Sequence, residues 1–337
     1  MQTRIQASVP EIASWLLASV ALVLTLRLGL LAALFAGLLV NALVHMMAPA
    51  LGRRASSRNA KMIAAGFLAG LVVLALSAAG WGLVSFFRSE AGSVPVLLQK
   101  MADIIDASRN EMPEWLRRSL PYGVTELQQQ LTELMRSHAQ DARTFGEEAG
   151  RTAVHMLVGM IIGAMAATYD AAHTVHVAPL SRALGARVAT LCTVFKSIAF
   201  AQVRIAALNA IFTALFLLVA LPLAGIHLPL RKTMIAVTFI VGLLPVVGNL
   251  VSNAVIVVIA LSQSLTIAVV ALTYLVVIHK LEYFLNAKIM GSRVDAHAWE
   301  LLTAMLVMEA IFGLPGVVAA PVFYAYAKRE LADQGLV

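Results

Sequence analysis

An acidic residue inside an apolar run is the first feature of this sequence that could do chemistry. Glu309 lies nine residues into Leu301–Ala327, a run of 27 residues with no other charged side chain. An ionised acid at the bilayer centre costs about 2.5–3.5 kcal/mol on insertion scales, and such acids usually mark a proton, ion or solute path. Two interpretations are open: a pathway acid, or a protonated or paired acid that holds an oligomer together.

Three polar side chains share one predicted helix face at the end of a second apolar stretch. Glu282 follows His279 by three residues and precedes Asn286 by four, and these spacings place side chains on one side of a helix. A carboxylate, an imidazole and an amide together can bind a polyol or relay a proton. The other interpretation is a polar cap at the membrane edge, in which Glu282 pairs with Lys280 or Lys288.

Proline and glycine interrupt that stretch further upstream. Pro245 lacks a backbone donor and disfavours helix before itself, and Gly248 loosens the next turn. Carbonyl groups freed at membrane depth are tolerated where they line a cavity or are buried in protein. Asn249 and Asn253 lie four residues apart beside this break, as in the broken helices with which transporters coordinate solutes or ions. The other interpretation is a plain loop between two spans.

Glycines and prolines near the C-terminus predict further breaks or hinges in the helices there. These positions are Gly291, Gly313, Pro315, Gly316 and Pro321. The sequence contains no P-loop, GxSxG, HExxH or CxxC motif, and its single cysteine, Cys192, permits no internal disulfide. We therefore expect neither catalysis nor a cofactor or metal site.

The composition is that of a membrane protein. Of the 337 residues, 60% are hydrophobic and only 13% are charged, and the mean hydropathy is +0.85. The stretch Thr233–Ile278 has 46 residues without Asp, Glu, Lys, Arg or His. As one helix it would be roughly 69 Å long, about two crossings of a 30 Å hydrocarbon core. The expected partner is the lipid bilayer, and no basic-aromatic patch indicates nucleic acid.

The sequence predicts an all-α polytopic membrane protein with about eight transmembrane helices and a broken or re-entrant C-terminal half. The loop Pro49–Lys61 carries four bases and no acid, which is typical of the cytoplasmic side and places both termini there. Gly66 with Gly70, and Gly159 with Gly163, predict close helix approach. The predicted spans are Ile12–Leu26, Leu28–Val44, Met62–Phe87, Ala153–Tyr169, Ile205–Ile226, two within Thr233–Ile278, and Leu301–Ala327.

Residues 92–151 differ from the rest and predict an amphipathic helical insert outside the inner membrane. Between Arg88 and Arg151 there are ten acids and eight bases, whereas the remainder has eight acids and seventeen bases. An apolar stripe with neighbouring bases, from Val188 to Ile198, predicts a cytoplasmic interfacial helix. The predicted divisions are N-terminal spans in 1–91, the insert in 92–151, the fourth span and interfacial helix in 152–204, and the remaining spans in 205–337.

Three landmarks carry a resemblance to a known family. Leu243–Gly248 resembles an apolar Pro-x-x-Gly break, Lys280–Glu282 followed by Ile289–Val294 resembles a Leu-Glu…Ile-Met-Gly stretch, and Phe312–Pro321 resembles a glycine-rich ending with Ala-x-Pro. Together they resemble the autoinducer-2 exporter family of bacterial inner-membrane permeases. The chain departs from that family in having Ala287-Lys288 where a proline is common before Ile-Met-Gly, and Met308-Glu309 where Gly-Gly is usual.

The resemblance implies a homo-oligomeric transporter of the bacterial inner membrane, with a pentamer as one form. Family members have been assigned to export of the quorum-sensing signal autoinducer-2 or to sodium/proton antiport. The leading hypothesis is therefore a permease that moves a small polar solute outward, with protons coupled through Glu309. The alternatives are a sodium/proton antiporter and a membrane scaffold that transports nothing.

Overall fold

The structure, a computed structural model, describes about seven tenths of the chain. The described residues are 8–51, 59–71, 139–169, 178–228, 230–243, 247–261, 263–264, 266–278 and 297–336, with isolated positions at 74, 81, 103, 114, 125, 126, 129, 133 and 280. All secondary structure within them is helical, which confirms the all-α class. The insert predicted for 92–151 lies largely outside the described residues.

The helices are numbered here in chain order over the described residues. They are α1 Val9–Arg27, α2 Leu31–Leu51, α3 Asn59–Leu71, α4 Ala139–Thr168, α5 Pro179–Leu215, α6 Arg231–Gly242, α7 Val247–Leu261, α8 Thr266–Ile278, α9 Ala298–Phe312 and α10 Leu314–Asp333. A π-helical segment, Phe216–Ala220, and one further turn, Leu221–Leu223, extend α5. Four of these helices are long and apolar enough to cross a membrane: α1, α2, α4 from Gly146, and α5 with its extension.

The helices form two compact units. The first comprises Met1–Leu71, Glu148–Ala201 and Asn286–Val337, and the second comprises Val72–Glu147 and Gln202–Leu285. Helix α5 runs without interruption from residues of the first unit into residues of the second. Each unit is described below by itself.

Helices α1 and α2 lie where the sequence placed the first two spans. The α1 N-terminus is a capping box, in which the Ser8 N–H donates to Glu11 Oε2 at 2.7 Å. Helix α1 ends at Arg27, and Gly29 takes a φ of +67° in the turn before α2. Glycine adopts this left-handed conformation without steric cost, so the turn can be short.

The first part of α5 packs against protein in the core of the first unit. Leu191 and Phe195 of α5 are buried in one cluster with Leu38 of α2 and Val322 of α10, and the Phe195 ring lies 5.2 Å from that of Phe35. Three members of the predicted apolar stripe, Leu191, Phe195 and Ile198, are buried, whereas Val188 is exposed. The helix runs on past residue 204 without a break, and its place at the cytoplasmic interface stays a prediction. An apolar stripe of this kind can be buried either by lipid or by a neighbouring helix, so its sequence pattern is the same in both cases.

Helices α2 and α4 cross with their backbones in contact. A Cβ added at Gly159 would lie 2.1 Å from the Ala33 carbonyl oxygen, and one added at Gly163 would lie 2.1 Å from that of Gly37. The close approach predicted for this glycine pair is present. The pair in α3, Gly66 and Gly70, has the same spacing, yet an added Cβ there meets no atom within 4 Å.

The core of the second unit is built from the end of α5 together with α6, α7 and α8. Phe216, Met234, Ile256 and Ala271 are among its buried residues. Phe216 begins the π-helical segment and stacks on Tyr274 of α8, with ring centroids 4.0 Å apart and planes inclined by 7°. The stacked aromatic pair and the buried aliphatic side chains join all four helices into one core.

The long uncharged stretch is not the two full spans that the sequence predicted. Helices α6, α7 and α8 have 12, 15 and 13 residues, which makes them about 18, 22 and 20 Å long, each shorter than a 30 Å hydrocarbon core. The first break falls between Gly242 and Val247, and the second between Leu261 and Thr266. Hydropathy alone does not register such breaks, since the residues around them are apolar.

The two glycine pairs provide a matched test of the α2–α4 crossing. We expect Gly163→Ala to destabilise the protein by about 1–3 kcal/mol, because the methyl group forces the backbones apart. Gly66→Ala, with open space around it and a gain in helix propensity, should leave stability unchanged or slightly raised. The measurement is the midpoint of thermal unfolding of the detergent-solubilised protein. Equal midpoints for the two variants would contradict the assigned crossing.

Candidate functional site

Helices α6 and α7 form a tight hairpin in the second unit. A Cβ added at Gly248, in the first turn of α7, would lie 2.2 Å from the Val241 carbonyl oxygen and 2.8 Å from the Gly242 Cα in the last turn of α6. Met234 and Ile256, each eleven residues from position 245, are buried in the same cluster. The chain therefore reverses between the two helices, with residues at equal distances from the tip packed together.

A glutamine of α5 holds the closed end of this hairpin. The Gln202 Nε2 donates to the Gly242 carbonyl oxygen at 2.8 Å, and a Cβ at Gly242 would touch the Ala206 Cβ at 3.4 Å. Gly242 is the last residue of α6, so its carbonyl has no partner within the helix. The side chain of Gln202 supplies that partner. The sequence analysis missed Gln202, which lay in the segment interpreted as interfacial.

Buried polar side chains without charge are a second feature of this unit. Asn209 and Thr213 on α5, Thr238 on α6 and Ser252 on α7 are all buried. The Thr238 hydroxyl donates to the Met234 carbonyl oxygen at 2.9 Å within its own helix. Hydroxyl and amide oxygens can replace the hydration of a neutral or weakly charged polar solute. Single Ser, Thr and Asn residues in apolar helices give no periodic signal, so the sequence analysis missed these four.

The predicted site residues around the hairpin are placed only in part. Asn249 lies in the first turn of α7, and Asn253 lies one turn later and is half-buried. Gly248 is the residue at the close approach. Outside the described residues lie Pro245, His279, Glu282, Asn286 and Gly291, so the polar face proposed around Glu282 remains a prediction.

Helices α9 and α10 form a second hairpin, in the first unit. Helix α9 ends at Phe312, and Gly313 takes a φ of +66° and a ψ of −150° before α10 begins. A Cβ added at Gly316 would lie 2.0 Å from the Met308 carbonyl oxygen. The sequence predicted one kinked span over Leu301–Ala327; this is wrong, because the chain reverses at Gly313 in a conformation that residues with a Cβ rarely adopt.

The two prolines of α10 differ in their positions. Pro315 lies in the first turn, where its missing N–H would have had no partner in the helix. Pro321 lies inside the helix and is buried. Neither residue ends α10, which runs to Asp333.

A cluster around Glu300 joins the open ends of the second hairpin. The Tyr324 hydroxyl and the Lys328 Nζ donate to Glu300 Oε2 at 2.8 and 2.7 Å, and the His297 Nδ1 lies 3.1 Å from Oε1. The Lys328 ammonium, followed by the Tyr324 hydroxyl, lowers the pKa of Glu300 to about 2. Glu300 is therefore ionised at physiological pH and acts as a clamp, not as a proton carrier.

The hairpin also determines the surroundings of Glu309. Helix α9 ends three residues beyond it, so Glu309 lies one turn from the closed end of the hairpin and is exposed. At that end the Arg27 Cζ lies 5.4 Å from the centroid of the Phe312 ring, and Arg27 is the last residue of α1. The expectation that Glu309 lies near the bilayer centre stays a prediction. Its role in a pathway remains a prediction.

Almost the whole chain matches the sequence model of a known family. Residues 12–333 match the family model described as AI-2E family transporter. The chain belongs to the AI-2E transporter family. The resemblance drawn from three C-terminal landmarks is thus confirmed, and AI-2E membership makes this protein a multi-pass membrane transporter or permease. No curated protein and no solved structure gives a significant match.

Adjacent bases at the end of α10 test the clamp. Lys328→Gln removes the main partner of Glu300, whereas Arg329→Gln removes only an exposed pair with Asp333 at 3.2 Å. We expect Lys328→Gln to lower the thermal unfolding midpoint and Arg329→Gln to leave it unchanged, because exposed ion pairs contribute little. A deficit of the same size in both variants would contradict the clamp.

The pH dependence of that deficit follows from the sign of the pKa shift. The folded pKa of Glu300 is about 2, below its ordinary value of 4.5, so the stabilisation is complete above pH 4.5 and lost as pH falls towards 2. The difference in midpoint between wild type and Lys328→Gln should therefore stay constant from about pH 8 to about pH 5. Thermal scans across this range check it, and a difference that disappears near pH 6 would exclude Glu300 as the partner.

Proposed function

We propose that the protein is an AI-2E family permease that moves a small polar solute without net charge across the bacterial inner membrane, with the α6–α7 hairpin in contact with the solute. The observation that carries the proposal is the reversal of the chain at this hairpin, inside a stretch of 46 residues without a charged side chain. Such an interruption at membrane depth is tolerated only in protein or against a water-filled cavity.

The ends of the hairpin helices supply the chemistry. The last carbonyls of α6 and the first N–H groups of α7 have no partners within their helices. Gln202 takes the carbonyl of Gly242 and the Leu243 N–H donates to that of Ile240, and end groups without a partner are suited to hydrogen-bond a solute as it sheds water. Because the buried polar side chains of this unit are amides and hydroxyls, a polyol or hydroxyketone fits better than an ion of high charge.

Direction and assembly belong to the same proposal. The family resemblance supports outward movement of a signalling solute of the autoinducer-2 class and a homo-oligomer, for example a pentamer. The basic loop Pro49–Lys61 supports cytoplasmic termini. Glu300 contacts both His297 and Lys328 at the open ends of the α9–α10 hairpin. We therefore infer that these two residues lie on the same side of the membrane.

A second candidate, sodium/proton antiport, is favoured by one observation. Glu309 is an exposed acid on the apolar surface of α9, where Leu302 and Leu306 are also exposed. An acid in such a place carries a desolvation cost that a proton or cation can relieve. Antiport predicts sodium-driven proton movement that depends on Glu309, whereas solute efflux through the α6–α7 hairpin does not require that carboxylate.

The proposal is tested by flux through the purified protein in liposomes. We expect isotope-labelled small polyols and hydroxyketones to leave loaded vesicles, and Gly248→Ala to lower the efflux at least tenfold, because its methyl group would collide with the Val241 carbonyl. Gly185→Ala on α5, where an added Cβ meets nothing within 4 Å, is the matched control. Full efflux through a correctly folded Gly248→Ala protein would exclude the hairpin from the path.

The same vesicles separate the alternatives. A pH-sensitive dye inside them reports proton movement when a sodium gradient is imposed, and antiport predicts that Glu309→Gln abolishes it. If Glu309→Gln matches wild type in both solute and proton movement, the pathway role of that acid is withdrawn. A wild-type protein that moves neither would favour the scaffold.

A further inference from the structure

One buried ion pair in the first unit belongs neither to the α6–α7 hairpin nor to the Glu300 clamp. The Arg187 Nη1 on α5 donates to the Glu330 Oε2 on α10, and the two side chains are only 11% and 9% exposed. The Trp15 Nε1 on α1 donates to the same oxygen at 3.3 Å, and the Arg187 Cζ lies 5.1 Å from the centroid of the Trp15 ring. Three helices distant in sequence meet at this pair.

The ion pair is not needed to hold α5 and α10 together. Burying two charges costs several kcal/mol per ion, and apolar residues of similar volume often stabilise a fold equally well or better. The adjoining contact between α5 and α10 is already apolar, with Leu191 and Phe195 buried against Ala325 and Val322. A buried ion pair that stability does not require can serve as a register or switch element.

The hydrogen bonds of the pair are only half made. Arg187 Nε and Glu330 Oε1 are both buried and have no hydrogen-bond partner among the described residues. A buried polar atom without a partner costs about 1–3 kcal/mol. The Glu300 clamp is different, since both of its carboxylate oxygens accept hydrogen bonds. The α9–α10 hairpin is thus firmly closed on itself, whereas its polar link to α5 is incompletely satisfied.

We propose that Arg187, Glu330 and Trp15 form a latch between α5 and the α9–α10 hairpin that is closed in this structure and opens during the transport cycle. Opening would let water reach the two unpartnered atoms, and their hydration offsets the loss of the ion pair. The closed and open states are therefore close in free energy. The latch rests on the proposed transport function, because a scaffold has no need to open it.

Arg187 also has a second carboxylate within electrostatic range. Glu11, in the first turn of α1, interacts electrostatically with Arg187. Tyr326 on α10 also interacts electrostatically with Arg187. When Glu330 withdraws, Glu11 can take over the guanidinium, so Arg187 need not be left buried without a counter-charge.

Distances between spin labels beside the pair test the latch with the pair itself intact. Val188 on α5 and Leu331 on α10 are 59% and 43% exposed, and each adjoins a latch residue. In a Cys192→Ser background, labels on Val188→Cys and Leu331→Cys should give two distance populations in lipid nanodiscs. We expect Glu330→Gln to raise the ratio of the longer to the shorter population at least threefold.

Two further variants complete the test. The apolar pair Arg187→Met/Glu330→Leu should leave only the shorter distance, because nothing then favours entry of water. Glu147→Gln, which breaks the exposed Arg143–Glu147 pair, should leave the distribution unchanged. A single narrow distribution that Glu330→Gln does not alter would overturn the latch, even if the apolar pair fails to fold. Since no solute is needed, this result is independent of the flux assays.

Discussion

Close approach of helix backbones at glycine is the contact on which the rest of this structure depends. Helices in a bilayer gain little from the hydrophobic effect on packing together, because lipid chains are as apolar as leucine. Close approach of their backbones therefore adds an important share of the dispersion energy, and a Cβ at the contact would prevent it. Gly159 and Gly163 bring α2 and α4 together in this way, Gly248 closes the α6–α7 hairpin, and Gly316 closes the α9–α10 hairpin.

The two hairpins determine where polar groups lie. Because the chain reverses between α6 and α7, the end groups of these helices are left inside an apolar stretch of the sequence. Because α9 and α10 reverse at Gly313, Glu300 meets Lys328, and Glu309 lies one turn before the reversal. The interpretation of each acid thus depends on the reversal and not on its place in the sequence.

The first two spans and the breaks near Pro245 and Gly313 could be predicted from the sequence, because long apolar runs, proline and glycine are local signals. The geometry of the breaks could not, since a kink and a reversal need the same residues and differ only in what the flanking helices contact. The glycine pairs Gly66–Gly70 and Gly159–Gly163 make the same point: their spacing is identical, and within the described part of the chain only the second pair has a helix against it.

The polar contacts of the structure were harder still to foresee. Arg187 and Glu330 are 143 residues apart, so neither marks the other in the sequence, and Arg187 was counted among the bases of a cytoplasmic segment. Gln202 and the buried Thr213 and Ser252 are isolated polar residues without periodicity. By contrast, the family resemblance was visible in the sequence, because its landmarks are short motifs in a fixed order and do not require knowledge of their contacts.

The most direct test of the hairpin architecture is the side of the membrane on which the two ends of the α9–α10 hairpin lie. Single cysteines replacing His297 and Ala332, both exposed, in a Cys192→Ser background are treated with a membrane-impermeant thiol reagent in intact cells and in inverted vesicles. The hairpin predicts that both positions react from the same face. Reaction of His297→Cys and Ala332→Cys from opposite faces would show a single crossing and contradict it.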